Sequence, residues 1–211
     1  MSEILLTYLL AVALALPIGA WLYRVLRDAP MAGDRVFGLV ERPIYSMLGV
    51  DPARGMTWQG YARAFVLSNL VLAAVVFTIF MGQHQLPLNP DGIGPLSWDI
   101  ALHTMVSFLT NTNQQHYSGQ AQLSYLSQLA GIVTLQVVTP MMGLAIAAAM
   151  LRGFLGGRNA ATAKEGEVRD VGNYYADVVR LSVRAFLPVA LVVSLLLTWQ
   201  GVPSTFGGAA K

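Results

Sequence analysis

Long runs of apolar residues alternate with shorter polar connections along the chain. Four runs approach or exceed the roughly 20 residues that cross a hydrocarbon core of ~30 Å, so each predicts a membrane-spanning helix. They cover residues 4–26, 61–81, 123–151 and 185–202. The pattern therefore predicts an all-α integral membrane protein with four transmembrane helices.

A fifth apolar segment, residues 97–109, lies between the second and third spans and is too short to cross. It follows a connection rich in Pro and Gly and ends in the uncharged polar stretch SFLTNTNQQHYSGQ, residues 107–120. A short buried helix that stops at membrane depth predicts a re-entrant pore helix followed by a filter loop. The alternative is a polar outer loop that caps a helix bundle.

The polar stretch suits a dehydrated monovalent cation. Backbone that leaves helical form at membrane depth must be enclosed by protein or line water, and its carbonyls can replace the hydration shell of a potassium ion. The negative C-terminal end of the short helix points at such an ion. Thr110, Asn111, Thr112 and Asn113 occupy the filter position. The absence of carboxylates there avoids holding a monovalent ion too tightly.

Composition supports a membrane protein and excludes several other classes. Of the 211 residues, 55% are hydrophobic and 11% charged, which is too few charges for an ordinary soluble surface. The chain has no Cys, which excludes a disulfide framework, a zinc knuckle and a thiol nucleophile. Sequence motifs of an intramembrane enzyme are also missing.

The basic residues predict the orientation. The two inner connections hold 12 of the 13 Lys and Arg, and residues 64–151 hold none. The basic residues are Arg24, Arg27, Arg35, Arg42, Arg54, Arg63, Arg152, Arg158, Lys164, Arg169, Arg180 and Arg184. By the positive-inside rule, the first and third connections are cytoplasmic, and the N-terminus and the filter connection face outward. Two separate blocks do not form a nucleic-acid-binding stripe, so no nucleic-acid partner is expected.

The inner connections predict amphipathic surface helices. One covers residues 34–50, lies on the membrane face, and is broken or kinked at Pro43. Another covers residues 173–186, with Asn173 as its N-cap. The Gly-rich residues 152–170 between the third span and this helix predict a flexible loop. They lack phosphate-binding-loop spacing, so no nucleotide is expected to bind.

Several separated motifs resemble one family, the potassium-binding subunit KdpA of the bacterial Kdp potassium-transporting ATPase. They are LPIGAWLYRVL, LPLNP, SFLTNTN, YSG, LSYLSQ and GNYYADVVRLSVRAFLP, and they extend through the chain. The resemblance implies one leading span followed by four repeats of span, pore loop and span around a single filter. It also implies a multi-pass protein of the bacterial inner membrane that binds potassium. Its partners would be the P-type ATPase subunit KdpB, which hydrolyses ATP, and the small subunits KdpC and KdpF.

The resemblance also implies roles for particular residues. The first filter strand falls on Thr110, Asn111, Thr112 and Asn113, supported by Ser107 and by the return residues Tyr117, Ser118 and Gly119. Three positions differ from the family's usual residues: Gln114 replaces Trp, Gln120 replaces Glu, and His103 replaces Asn. The three histidines, His84, His103 and His116, are far apart in sequence, so no metal site other than potassium is expected.

The expected organisation has four parts. Residues 1–60 form the leading span and an inner loop, and residues 61–151 form the first span, pore loop, span repeat. Residues 152–184 form a cytoplasmic loop, and residues 185–211 form the first span of a truncated second repeat. We expect no catalytic site in the chain. It carries one of the four pore loops that the resemblance implies. It is expected to be a fragment, a frameshift product or a shortened homologue. The alternatives to a potassium-binding subunit are a small homotetrameric potassium channel and a non-conducting remnant.

Overall fold

The computed structural model describes residues 2–159 and 169–202, and this part of the chain is helical without any strand. The helices are α1 (Ser2–Leu26), α2 (Asp34–Leu48), α3 (Trp58–Gly82), α4 (Trp98–Leu109), the single turn α5 (Gly119–Gln122), α6 (Ser127–Phe154) and α7 (Tyr174–Trp199). Residues 160–168 of the flexible loop predicted for residues 152–170 lie outside the described residues, as does the end of the predicted last part from residue 203 onward.

Four helices, α1, α3, α6 and α7, are long and apolar enough to cross a membrane. This confirms the four predicted spans by length and composition. The first two of these spans, α1 and α3, match their predicted ranges within a few residues. Helix α6 begins with a π-helical segment at Ser127 and extends to Phe154, a few residues later at each end than predicted.

The prediction of a separate surface helix over residues 173–186 is wrong. This segment is the first half of α7, which continues through a π-helical segment, Leu181–Phe186, to Trp199. The start of a span predicted at residue 185 therefore falls inside one continuous helix. The Asn173 cap is confirmed, because its side chain accepts a 3.1 Å hydrogen bond from the Ala176 N–H.

Buried ion pairs explain why this half of α7 looks like a surface segment in the sequence. Arg184 binds Glu41 of α2 through two hydrogen bonds of 2.6 and 2.7 Å. Arg180 and Arg184 both reach Asp28, just after α1, at 2.7 and 2.9 Å. A charged side chain is compatible with a buried face when it is paired and hydrogen-bonded. The arginines therefore join α1, α2 and α7.

Helix α2 confirms the helix predicted for this inner connection but shows no break at Pro43. Glu41 and Tyr45 lie on its buried face, and burial raises the pKa of Tyr45 to about 12. The residue one turn before Pro43, Leu39, is 75% exposed. Proline removes an N–H donor from a helix interior. Pro43 lies on the exposed face of α2, so the missing N–H is on that face. The helix continues past Pro43 without a break.

The described residues form three apolar cores, and the two larger ones lie at opposite ends of the helices. The core at the arginine-rich end contains Tyr61, Met142, Tyr174 and Leu181, beside a 2.5 Å ion pair between Arg152 and Asp177. The other core surrounds α4, which packs between α3 and α6. It comprises Val76, Phe80, Leu96, Ala101, Met105, Phe108, Leu123, Ile132 and Leu135. This second core positions the short helix and the loop that follows it.

Candidate functional site

The candidate site begins where α4 ends. The helix predicted for residues 97–109 is confirmed as a helix of 12 residues, Trp98–Leu109, which is about 18 Å long and too short to cross a bilayer. One face, including Ala101, Met105 and Phe108, is buried in the second core. Phe108 is only 1% exposed, so the last turn of α4 is fixed in the protein interior.

The backbone N–H groups of residues 110–114 all donate hydrogen bonds back into the last turn of α4. Those of Thr112 and Asn113 share the Ser107 carbonyl at 2.9 and 3.2 Å. The Gln114 N–H donates to Ser107 Oγ at 2.7 Å. The two residues before Thr112 donate to other α4 carbonyls at 3.0 and 3.3 Å. All five N–H groups of this segment are therefore hydrogen-bonded to α4.

The carbonyl side of the same segment differs from the N–H side. Within the described part of the chain, no hydrogen bond ends on the carbonyl oxygens of residues 110–113. The four residues are also exposed. A carbonyl oxygen carries two lone pairs and is a neutral ligand for a cation. The segment therefore presents a short series of unpaired neutral oxygens beside the C-terminal end of a helix, where the helix dipole is negative.

Backbone conformation contributes to this arrangement. Asn111 and Asn113 have left-handed conformations, with φ of 59° and 53°, whereas the intervening Thr112 does not have a positive φ. Asn tolerates this region better than most residues because its short polar side chain can bond locally. The alternation departs from both helix and strand and keeps the N–H groups directed at α4.

Thr139 of α6 ties the loop to the next long helix. Its hydroxyl oxygen lies 2.8 Å from Asn111 Oδ1 and 3.3 Å from the Phe108 carbonyl oxygen, and 2.7 Å from the Leu135 carbonyl oxygen of its own helix. Thr139 is only 3% exposed, whereas Asn111 is exposed, so the contact lies at the boundary of the buried region. The Thr110 and Thr112 hydroxyls lie 3.2 Å from each other on the exposed side of the loop. The sequence analysis missed Thr139, because one Thr within an apolar run carries no distinguishing signal.

The structure also places the four residues expected to support the segment. Ser107 lies at the centre, since its carbonyl and hydroxyl together bind three loop N–H groups. Tyr117 is half-buried against the second core, and Ser118 precedes α5, where its N–H donates to Gln122 Oε1 at 2.6 Å. A Cβ added at Gly119 would meet nothing within 4 Å. The first three residues thus have structural roles, whereas no steric need for glycine is evident.

An open cleft of about 450 Å³ runs along one face of α4 to the loop. It is lined by Trp98, Asp99, Leu102, His103, Val106, Ser107, Thr110, Thr112 and Gln114. The only acidic residue in this lining is Asp99, near the start of α4. Thr110 and Thr112 belong to the same lining, so the cleft reaches the exposed segment.

Two histidines that are separated in sequence lie together in space. The rings of His103 and His116 are 4.2 Å apart between centroids and nearly perpendicular. Their distance in sequence was therefore a poor guide to their distance in the fold. Among the described residues, no group of three or more His, Asp or Glu side chains converges as a metal site.

Comparisons with known proteins identify the family. The model of the KdpA family, described as the potassium-transporting ATPase A subunit, matches residues 5–211. A potassium-transporting ATPase potassium-binding subunit from Caldanaerobacter subterraneus subsp. tengcongensis is 39% identical over 197 residues, or 93% of this chain and 33% of the relative. Subunits of the same description from Gloeobacter violaceus and Alicyclobacillus acidocaldarius are 39% and 41% identical, over 99% and 98% of this chain.

The chain spans about a third of the length of these relatives, between 33% and 35%. The matched part contains one short helix with its following loop.

Proposed function

The chain belongs to the KdpA family of potassium-transporting ATPase A subunits, and we propose that its residues 110–113 form one potassium-facing segment of the ion filter. The observation that carries this proposal is the one-sided hydrogen bonding of the segment. All its N–H groups bind α4, and its carbonyl oxygens remain unpaired among the described residues. Neutral carbonyl oxygens are the ligands with which proteins replace the hydration shell of potassium.

The proposal includes a re-entrant placement of α4. A helix of 12 residues ends partway across a hydrocarbon layer of ~30 Å. Its C-terminal turn then directs partial negative charge at the ion position. The absence of Lys and Arg between residues 64 and 151 supports an extracytoplasmic position for this loop and its approach. The ion therefore enters and is selected on the outer side of the bacterial inner membrane, and the N-terminus also lies outside.

Several loops are needed to complete the site. Potassium filters of this class draw carbonyl oxygens from four loops around one axis, so a single loop supplies about a quarter of the ligands. We therefore propose that this chain acts together with further pore loops, not as a conducting unit by itself. Its matches, over 93–99% of the chain, are to subunits about three times as long. These matches do not favour the small homotetrameric channel.

The energy for uptake comes from a partner in this proposal. No phosphate-binding loop is present in the sequence, and no nucleotide is assigned to this chain. We assign ATP hydrolysis to the P-type subunit KdpB, with KdpC and KdpF as further subunits of the complex. Potassium is the transported ion, and the chain's own residues contribute its selection.

Charge substitution within the loop tests this function. Asn111→Asp or Thr112→Asp, introduced into the complete ATPase complex, places a carboxylate beside the ion path. The half-saturating potassium concentration and the preference for potassium over rubidium should then change at least ten-fold, because a charged ligand replaces neutral ones. Gln85→Asp adds the same charge at an exposed site and is the control. Unchanged potassium uptake in both loop variants would refute the assignment.

A further inference from the structure

The side chain of Gln83 has an unusual position just after α3. It is fully buried, at 0% exposure, although both neighbours, Gly82 and His84, are more accessible. Its Nε2 donates to the Gly94 carbonyl at 2.6 Å and to the Gln122 carbonyl at 2.8 Å. A buried amide is costly unless it is hydrogen-bonded, so this arrangement is a strong local constraint.

The oxygen of the same amide also accepts two hydrogen bonds. Gln83 Oε1 accepts the Ser124 N–H at 3.1 Å and the Ser127 hydroxyl at 2.8 Å. A glutamine amide offers two donors and two acceptor lone pairs, and all four are used here. The partners also determine the orientation of the amide. Exchanging Nε2 with Oε1 would place oxygen against two carbonyl oxygens and NH₂ against an N–H donor.

The two Nε2 partners lie on opposite limbs of one loop. Gly94 is on the incoming limb, shortly before α4, and Gln122 is on the outgoing limb, after the exposed segment 110–113. One side-chain nitrogen therefore closes the loop that carries both α4 and the unpaired carbonyls. A second contact joins the same limbs, since the Tyr125 N–H donates to the Leu88 carbonyl at 3.1 Å.

We propose that Gln83 is a positioning residue that sets the location of the potassium-facing segment by holding the two limbs of its loop on one amide nitrogen. The inference rests on the proposed function of residues 110–113. Gln83 itself does not touch the ion. Closing a long loop restricts the freedom of everything between its ends, so the loss of this closure loosens the segment. A small displacement of ligands has a large effect on a process that depends on their geometry.

The first experiment uses the 211-residue chain in detergent and does not depend on transport. Gln83→Met keeps the approximate side-chain volume and removes all four hydrogen bonds. Amide hydrogen exchange of Thr112, Asn113 and Gln114, whose N–H groups bind Ser107, should become at least ten-fold faster. Gln85→Met is the matched control, because Gln85 is exposed and, among the described residues, its side chain bonds only to the neighbouring His84 ring.

The second experiment uses the complete ATPase complex. Gln83→Met should raise the half-saturating potassium concentration at least ten-fold and reduce the preference for potassium over rubidium. The turnover rate at saturating potassium should stay within two-fold, because the residue is remote from ATP hydrolysis. A residue needed only for folding would lower the amount of complex and its maximal rate without altering ion preference.

A second variant covers the case in which Gln83→Met does not accumulate. Gln83→Glu keeps an oxygen for Ser124 and Ser127 and replaces the donor that holds both limbs, so the same loss of ion preference is expected. Wild-type exchange rates, or wild-type ion preference in a folded Gln83 variant, would overturn the inference. If Asn111→Asp and Thr112→Asp also leave uptake unchanged, the proposed function fails; if they alter uptake and the Gln83 variants do not, the positioning role alone fails.

Discussion

Asn111 contributes to the loop through both its backbone conformation and its side chain. Its backbone is left-handed, with φ of 59°, and its side-chain oxygen lies 2.8 Å from the Thr139 hydroxyl. Strained backbone conformations cost roughly 1–3 kcal/mol and persist where surrounding contacts enforce them. The Thr139 hydroxyl is the contact from outside the loop that accompanies this conformation.

Thr139→Val tests this contact at the residue scale. The substitution nearly preserves shape but removes the hydroxyl, so a part-buried hydrogen bond worth about 1 kcal/mol is lost. We expect the half-saturating potassium concentration of the complete complex to rise several-fold, with a weaker preference over rubidium. Thr134→Val is the control, because the Thr134 hydroxyl donates to the Leu129 carbonyl of its own helix at 3.1 Å. Equal ion preference in the two variants would show that Thr139 does not brace the loop.

The sequence located the short helix and the loop after it, but it did not show which residues hold them in place. The short helix and the polar residues 110–113 could be located because the apolar pattern stops abruptly after Leu109. Gln83 lies in the polar triplet QHQ, residues 83–85, and the sequence does not show which of these three side chains is buried. Such contacts join residues up to 44 positions apart, and a local pattern does not encode them.

At the scale of helices, the close approach of α3 and α6 positions α4. Gly131 of α6 lies against the Phe80 ring, and a Cβ at Gly131 would meet that ring at 2.7 Å. Phe80 is fully buried, so the ring has little room to move. The small residue therefore allows the two helices to pack closely beneath α4, as small residues do between membrane helices.

Gly131→Val is expected to destabilise this packing by about 1–3 kcal/mol through overpacking. The thermal unfolding midpoint of the purified chain in detergent should fall accordingly. Gly143→Val is the matched control in the same helix, since a Cβ there meets nothing within 4 Å. A midpoint that falls equally in both variants would point to general effects of valine on α6 and not to the Phe80 contact.

The beginning of α7 shows where sequence patterns fail at this scale. Arg180 and Arg184 indicated a surface helix because charged residues are seldom buried. Their partners, Asp28 and Glu41, lie 152 and 143 positions away in sequence. The local pattern shows an arginine but not the distant carboxylate that makes its burial possible. The predicted cap at Asn173 succeeded because capping depends on neighbouring residues alone.

At the scale of the whole molecule, the two larger apolar cores of the described residues have different tasks. Paired charges and the first core hold the arginine-rich ends of α1, α2 and α7 together. The second core holds α4 and leaves the carbonyls of residues 110–113 unpaired among the described residues. This division fits a subunit in which one end is built for support and the other presents ligands to an ion.

The most direct measurement is a crystal structure of the complete potassium-binding subunit with thallium in place of potassium. Thallium is a monovalent cation whose anomalous scattering identifies its position. Our account predicts an anomalous peak within coordination distance of the backbone carbonyl oxygens of residues 110–113, with the corresponding segments of other loops around it. A bound thallium ion elsewhere in the subunit, with no peak beside this segment, would contradict the account.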